Sequence, residues 1–536
     1  MFAEVSLPIS SFQTFTYLVP ENLESQSLIG SRVTVPFGNR KVSGVIVSLM
    51  DSTSFSGEVK SISRFDDDAP IISQNLWKLV RWISHYYITP IGVVYNTVLS
   101  FNISKNYIPR QSWFVKNISE DIDLLLKKTS PKQYLVYKAI QLSSQKYIKV
   151  SSFKNISSNP LSICKALQSK GCIELVKKDD SQGGNRLTFN PVKKKISYNE
   201  DQLKVIDNIK STLRTKKFKS NLLHGVTGSG KTEIFIEVIK TVIKMKRSAI
   251  ILIPEISLTP QIAGRFKDVF GQDIALWHSQ LTKSQRAKTW NEINNGDCKI
   301  VIGARSAVFS PIKKLGLIIV DEEHDSSFKQ DSPSPRYHAR DVAIMRAKIE
   351  ECAVILSSAT PSLETFYNYK NSKHRYLSLP KRYGKAVYPT VKVVDLIDES
   401  KETGKFNIVI SGTLQRKIEE KLKNKEQVLL IQNRRGHSPT IKCSDCGSIV
   451  MCSACKTPLT FHKYDNKLKC HICGFISNKI LDTCKDCLSQ NFLYVGTGTQ
   501  KVEDILQETF PNAKISRVDH DSTKKDASAM KILQSF

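Results

Sequence analysis

Between residues 197 and 390, apolar runs of strand length alternate with longer stretches of helical periodicity. "NLLHG", "AIILIP" and "LGLIIV" are runs of the first kind, and "KTEIFIEVIKTVIKMK" is a stretch of the second. This βα rhythm predicts a parallel sheet with helices on both faces. It resumes at "EQVLLIQNRRG" and "NAKISRVDHD", on either side of a cysteine-rich block, and so predicts a second α/β lobe over 391–536 with an insertion at 440–490.

The first 105 residues follow a different pattern. "RVTVPFG" and "KVSGVIVSL" alternate or run apolar over strand lengths around the turn-forming "FGN", so 1–105 reads as a β-rich module. A helix is predicted at "NLWKLVRWISHYY", where Leu76, Leu79, Val80, Ile83 and Tyr87 recur at helical spacing, with its aromatics in the core. Across 106–196, "PKQYLVYKAIQ" predicts a helix starting after Ser130-Pro131. "NPLSICKALQSKGCIELVKK" then predicts a helix, a stop at Gly171 and a strand. With the polar tip "KKDDSQGGNR", the segment reads either as a winged helix that enters a DNA groove or as a helical spacer with no DNA contact. "PVKKKIS" follows as an exposed linker.

Composition narrows the class. The chain has 536 residues, enough for several domains, and a net charge of +29. That charge favours a polyanionic partner, most simply nucleic acid, although many lysines could merely be solvated. The apolar runs fall well short of the ~20 residues needed to span a bilayer. The opening "MFAEVSLPIS" lacks a signal-peptide pattern, so a cytoplasmic location with no membrane partner is expected. Cys164, Cys172, Cys298 and Cys352 stand singly among apolar residues and are expected to be buried packing groups.

"NLLHGVTGSGKTEIF" places Gly225, Gly230, Lys231 and Thr232 in the G-x-x-x-x-G-K-[ST] pattern, between a predicted strand and a predicted helix. The loop Gly225, Val226, Thr227, Gly228, Ser229 and Gly230 would aim backbone N–H groups at the phosphates of ATP. Lys231 would reach the β and γ phosphates, and Thr232 would ligate Mg²⁺. Ninety residues after Lys231, the strand "LGLIIV" runs into "DEEHD". Asp321 is expected to hold the Mg²⁺ shell and Glu322 to orient or deprotonate water; alone, the same letters would be only a charged turn.

Eight cysteines in four Cys-x-x-Cys pairs supply ligands for two tetrahedral Zn²⁺ sites. Disulfides are disfavoured in a cytoplasmic chain. Five residues separate Cys446 from Cys452, too few for a comfortable hairpin, whereas fourteen separate Cys455 from Cys470. The expected sets are therefore Cys452, Cys455, Cys470 and Cys473 inside, with Cys443, Cys446, Cys484 and Cys487 outside; His462 and His471 are redundant. Structural zinc supplies roughly 10–16 kcal/mol of apparent folding energy per site. The block is thus expected to form a rigid knob that separates strands or docks a partner.

The D-E-x-H text at Asp321 resembles superfamily 2 helicases. "IPEISLTPQ" (253–261) and "IGARSAVF" (302–309) resemble their DNA-facing motifs, and Ser358-Ala359-Thr360 the segment linking ATP state to DNA grip. Gln202 in "NEDQLKVI" stands where such enzymes contact adenine. Taken together, "GVTGSGKTEI", "IPEISLTPQ", "DEEHDSSFKQ", "RYHARDVA" and "NRRGHSP" before eight cysteines resemble the PriA family of bacterial replication-restart helicases. The resemblance implies RecA-like motor lobes behind a 3′-end DNA-binding module, and agrees with the nested zinc sets. It implies an ATP-dependent 3′→5′ DNA helicase that recognises stalled or abandoned forks, remodels them and promotes primosome assembly and reloading of the replicative helicase.

The partners so implied are forked and single-stranded DNA, single-strand-binding protein and helicase-loading proteins, with the chain a monomer. Phe15, Gly38, Lys60 and Arg305 would contact DNA; Thr16 departs from the acidic residue that the family often carries after the Phe. Beyond "ISRVDHDST" the family pattern continues with a glycine-threonine motif and an arginine-bearing "GRAGR"-type motif, and the text from there to "KILQSF" holds neither. Such an arginine is worth ~10³–10⁵ in rate in related enzymes. The expectation is therefore a carboxyl-terminally incomplete helicase. The alternative is a truncated, non-motor fork-binding protein that binds ATP and zinc without efficient hydrolysis.

Overall fold

A computed structural model describes the chain except residues 22–27, 54–56, 68–69, 100–110, 118–129, 142, 144–146, 180–196, 255–259, 280, 385–386, 405–407, 433–439, 444, 463–466, 471, 478–482, 496–498 and 519–536. It divides into two compact units, 1–387 and 388–536.

The first unit opens with an antiparallel sheet. Its strands are β1 (Phe2–Ser6), β2 (Phe15–Leu18), β3 (Arg32–Phe37), β4 (Arg40–Met50) and β5 (Arg64–Phe65), in the order β2-β1-β4-β3-β5. The alternation read from the sequence is what buries Ala3, Val5, Val33, Val35 and Ile46 on one face. The expected helix runs Gln74–Tyr86, capped by the Ser73 hydroxyl, and buries Leu76, Leu79, Val80 and Ile83. A second helix, Ile91–Val98, lies so close to β1 that a Cβ on Gly92 would sit 2.2 Å from the Leu7 carbonyl oxygen.

Both expected helices of the next segment form, at Pro131–Gln141 and Pro160–Ser169. Gly171, at φ 73°, ends the second before a strand. One element went unread: Gln111–Asn117 (β6) is the central strand of a three-stranded sheet with β7 (Ile148–Lys149) and β8 (Ile173–Asp179). It pairs antiparallel with β8 over seven residues. The linker and most of the polar tip lie outside the described residues.

The predicted parallel sheet has seven strands. They are β9 (Lys219–Gly225), β10 (Ser248–Leu252), β11 (Ile274–Trp277), β12 (Ile300–Gly303), β13 (Leu315–Asp321), β14 (Ala353–Ser358) and β15 (Arg375–Leu379), in the order β11-β12-β10-β13-β14-β9-β15. All six pairings are parallel. Because both faces are covered, neighbouring residues of one strand enter different cores. Ile318 and Val320 join one cluster, and Leu317 and Ile319 the other. The first of these clusters also takes in Leu79, Val80, Ile83 and Val94 of the amino-terminal helices, which pack against Val342, Ala343 and Ala347 of the helix Ala339–Ile349.

The second unit contains the helices Leu396–Thr403, Gly412–Lys423 and Thr499–Thr509. Its antiparallel sheet comprises β16 (Thr440–Cys443), β17 (Thr460–His462), β18 (Lys467–Lys469), β19 (Ile476–Ser477) and β20 (Phe492–Val495), in the order β19-β18-β17-β16-β20. The runs read as strands of a second α/β lobe carry no strand among the described residues. Residues 426–432 and 512–518 form no strand, and Leu429 and Ile431 are 80% and 84% exposed. A parallel strand is held by strands on its edges, and among the described residues neither stretch pairs with one.

Candidate functional site

The glycine-rich loop sits where β9 hands over to the helix Lys231–Lys244, at the carboxyl edge of the parallel sheet. Gly228 and Gly230 adopt φ 79° and 83°, a left-handed turn that places the helix N-terminus under the loop. A Cβ on Gly230 would stand 2.4 Å from Nε2 of Gln202. That amide donates to the Ser229 carbonyl at 2.9 Å, its oxygen accepts from the Asn199 N–H, and the residue is 2% exposed. Gln202 is therefore engaged with the loop backbone. The buried Ser229 hydroxyl finds no partner among the described residues, an unmet group of the kind a phosphate would satisfy.

Lys231 donates from Nζ to the Gly225 carbonyl at 2.9 Å and lies 3.5 Å from Oε1 of Glu322. β13 ends at Asp321, which delivers both carboxylates to this crevice. Burial, with the neighbouring Glu322 carboxylate, pushes Asp321 up to about 6, while the Lys231 ammonium pulls it down. A divalent cation would relieve this desolvation, so the donor set fits Mg²⁺. Glu322 holds φ 47°, a left-handed conformation costly for a non-glycine residue. His324 Nδ1 meets the Ser358 hydroxyl at 2.8 Å, and that hydroxyl accepts from the Thr360 N–H at 2.9 Å. Sequence reasoning missed His224, whose two ring nitrogens meet the Tyr376 hydroxyl (2.8 Å) and the Ala359 carbonyl (3.2 Å). It also missed Glu323, whose role is tertiary.

The four residues expected to face DNA are placed apart from this crevice or only beside it. Phe15 begins β2 and packs edge-on against Phe37 at 5.1 Å; Gly38 follows in the turn at φ 55° with open space around it. Lys60 is exposed, and its carbonyl accepts from the Leu18 N–H at the far end of β2. Arg305 turns inward, donating to the Ser327 and Lys329 carbonyls at 3.4 and 3.1 Å. Most of "IPEISLTPQ" and all of "NRRGHSP" lie outside the described residues. Cys164, Cys172, Cys298 and Cys352 are all buried, as expected.

The cysteine block assembles two four-thiol sites, Cys443/Cys446/Cys484/Cys487 and Cys452/Cys455/Cys470/Cys473, with all ligand atoms of each set within 4.8 Å of one another. The nesting matches the reading from the gaps. Four converging thiols with no disulfide between them are the donor set of structural zinc.

Comparison with known families agrees with this geometry. Residues 199–368 match the DEAD/DEAH box helicase family, 4–100 the 3′ DNA-binding domain (3′BD) of PriA, and 452–477 the PriA DNA helicase Cys-rich region. The last match spans the inner zinc set. The replication restart protein PriA of Chlamydia pneumoniae is 37% identical over all of this chain and 72% of its own length. That of Bacillus subtilis is 32% identical over all of this chain and 74% of its own. Among solved structures, RecG bound to a three-way DNA junction is 19% identical, covering 36% of this chain and 25% of that one at a TM-score of 0.28, too small an overlap to argue from. The phosphate loop, the paired carboxylates and the seven-stranded sheet define a helicase-class ATPase that carries a zinc-binding region. The chain belongs to the PriA family of replication restart proteins.

Proposed function

We propose that the chain is an ATP-driven DNA helicase moving 3′→5′, which recognises abandoned forks, remodels them and prepares them for reloading of the replicative helicase. One observation carries the reading: Lys231, Asp321 and Glu322 converge at the carboxyl edge of one parallel sheet, with Lys231 and Glu322 3.5 Å apart. On this reading the loop N–H groups and Lys231 would bind the triphosphate, and Thr232 and Asp321 would hold Mg²⁺. Bound Mg²⁺ neutralises charge developing on the phosphates. Glu322 orients the attacking water and accepts its proton. His324, through Ser358, ties this edge to the segment that follows β14. Phe15, Gly38 and Lys60 would meet a nascent 3′ end, the Pro160–Ser169 helix would approach duplex as part of a winged helix, and the zinc knob would separate strands or dock loading proteins.

The test is DNA-stimulated ATP hydrolysis and strand displacement on labelled forks with a 3′ or a 5′ loading strand. Lys231→Ala and Glu322→Gln are each expected to lower the ATPase rate at least 100-fold. Glu322→Gln should still bind a fluorescent ATP analogue. Displacement from the 5′ strand alone would overturn the polarity. A wild-type chain that binds the analogue but shows no DNA-stimulated hydrolysis would overturn the motor reading.

A further inference from the structure

The nucleotide chemistry leaves Glu323 of "DEEHD" without a task, and it is the most deeply placed of the acidic residues there, 0% exposed. A buried carboxylate needs full hydrogen bonding to remain charged. Here four donors supply it. Oε1 accepts from the Ser362 N–H at 2.7 Å. Oε2 accepts from the Ser362 hydroxyl (3.1 Å), the Thr365 hydroxyl (2.8 Å) and Nη1 of Arg340 (3.1 Å). The Glu323 N–H donates to the Ser357 carbonyl at 3.0 Å, so its backbone is fixed as well.

These donors come from separate pieces of chain. Ser362 caps the helix Leu363–Lys370, which begins just after Ser358-Ala359-Thr360. Arg340 stands in the first turn of the helix Ala339–Ile349, largely buried, and its Nη1 also donates to the Ser362 hydroxyl at 2.7 Å. Ion pairs this buried seldom repay their desolvation in stability, and an apolar replacement often serves the fold as well. The retained pair therefore calls for an explanation in what it orients. The next residue back is Glu322, held at φ 47°. Strain of that size, on the order of 1–3 kcal/mol, persists only where surrounding structure over-determines it.

We propose that Glu323 and Arg340 are the positioning pair of the ATPase site. Glu323 pins the turn after β13 to the cap of one helix and the first turn of another, and this keeps the Glu322 carboxylate facing Lys231. The pair touches neither phosphate nor water and acts through Glu322. The inference rests on the ATPase reading above, since it assigns the pair to the efficiency of that reaction.

The experiment compares Glu323→Gln, Arg340→Lys and Thr365→Val with wild type. It measures steady-state ATPase with single-stranded DNA, and the affinity and stoichiometry of a fluorescent ATP analogue with Mg²⁺. For Glu323→Gln, kcat is expected to fall at least 30-fold, with KM, analogue affinity and stoichiometry within threefold of wild type. Arg340→Lys, which keeps the charge, should recover most of the rate. Thr365→Val, a milder change that removes one donor, should lower kcat by three- to tenfold in folded protein. Rates unchanged in Glu323→Gln and Thr365→Val would overturn the proposal. So would kcat and stoichiometry falling in parallel, which marks a merely structural role. A wild-type chain without hydrolysis would instead sink the ATPase reading on which the proposal stands.

Discussion

Asp321 shows how one residue can be held against its own preference. Its value rises from 3.8 to about 6, so the folded protein, free of Mg²⁺, keeps a proton that the unfolded chain gives up. The associated stability is fully present below about pH 4 and is lost as pH rises through 6; it is worth roughly 3 kcal/mol. Asp321→Asn, which cannot ionise, should therefore melt higher than wild type at pH 7 and close to it at pH 4, in thermal scans without Mg²⁺. Equal melting curves at both pH values would contradict the burial argument. Gly230→Ala should weaken analogue binding at least tenfold, because a side chain there is forbidden both by φ 83° and by the Gln202 amide. Gly230, Lys231 and Asp321 were legible because their motifs are contiguous in the chain. Glu323 and Arg340 were not, since nothing local tells the third letter of "DEEH" which helix caps it will meet.

Elements with a strong period of their own were read well, and those defined by partners were not. The helix Gln74–Tyr86 and the parallel strands β9, β10 and β13 follow directly from apolar spacing. β6 escaped notice because its place is set by pairing with β8, far along the sequence. The two second-lobe runs have the right length for strands, but neither joins a sheet among the described residues. Gly92→Ala tests the contact between Ile91–Val98 and β1. A methyl pressed against the Leu7 carbonyl should lower the first thermal transition, at a cost of about 1–3 kcal/mol or more. The nested cysteine sets are likewise unequal. Leu459 and Leu468 cluster with Cys452 and Cys470 of the inner set, and β16 pairs with both β17 and β20. Cys484→Ser should therefore halve the zinc measured by mass spectrometry, whereas Cys470→Ser should remove more than half. Equal losses would show the two sites to be independent.

At the scale of the whole chain, a charge of +29 on a member of this family predicts binding dominated by phosphate contacts. Affinity for forked DNA should fall by about 10³–10⁵ between 50 and 200 mM salt if six to ten phosphates are engaged. A flat salt response in fluorescence anisotropy would refute this. The amino-terminal module does not hang from the motor sheet by a tether. Leu79 and Ile83 share one cluster with Val342 and Ala347; the Asn75 amide reaches Glu350 at 2.9 Å, and the Tyr87 hydroxyl accepts from the His338 N–H at 3.0 Å. A fragment starting after residue 105 would bare a greasy helix flank and should precipitate. A displacement of the Ala339–Ile349 helix would therefore press directly on the Gln74–Tyr86 helix and on the core they share.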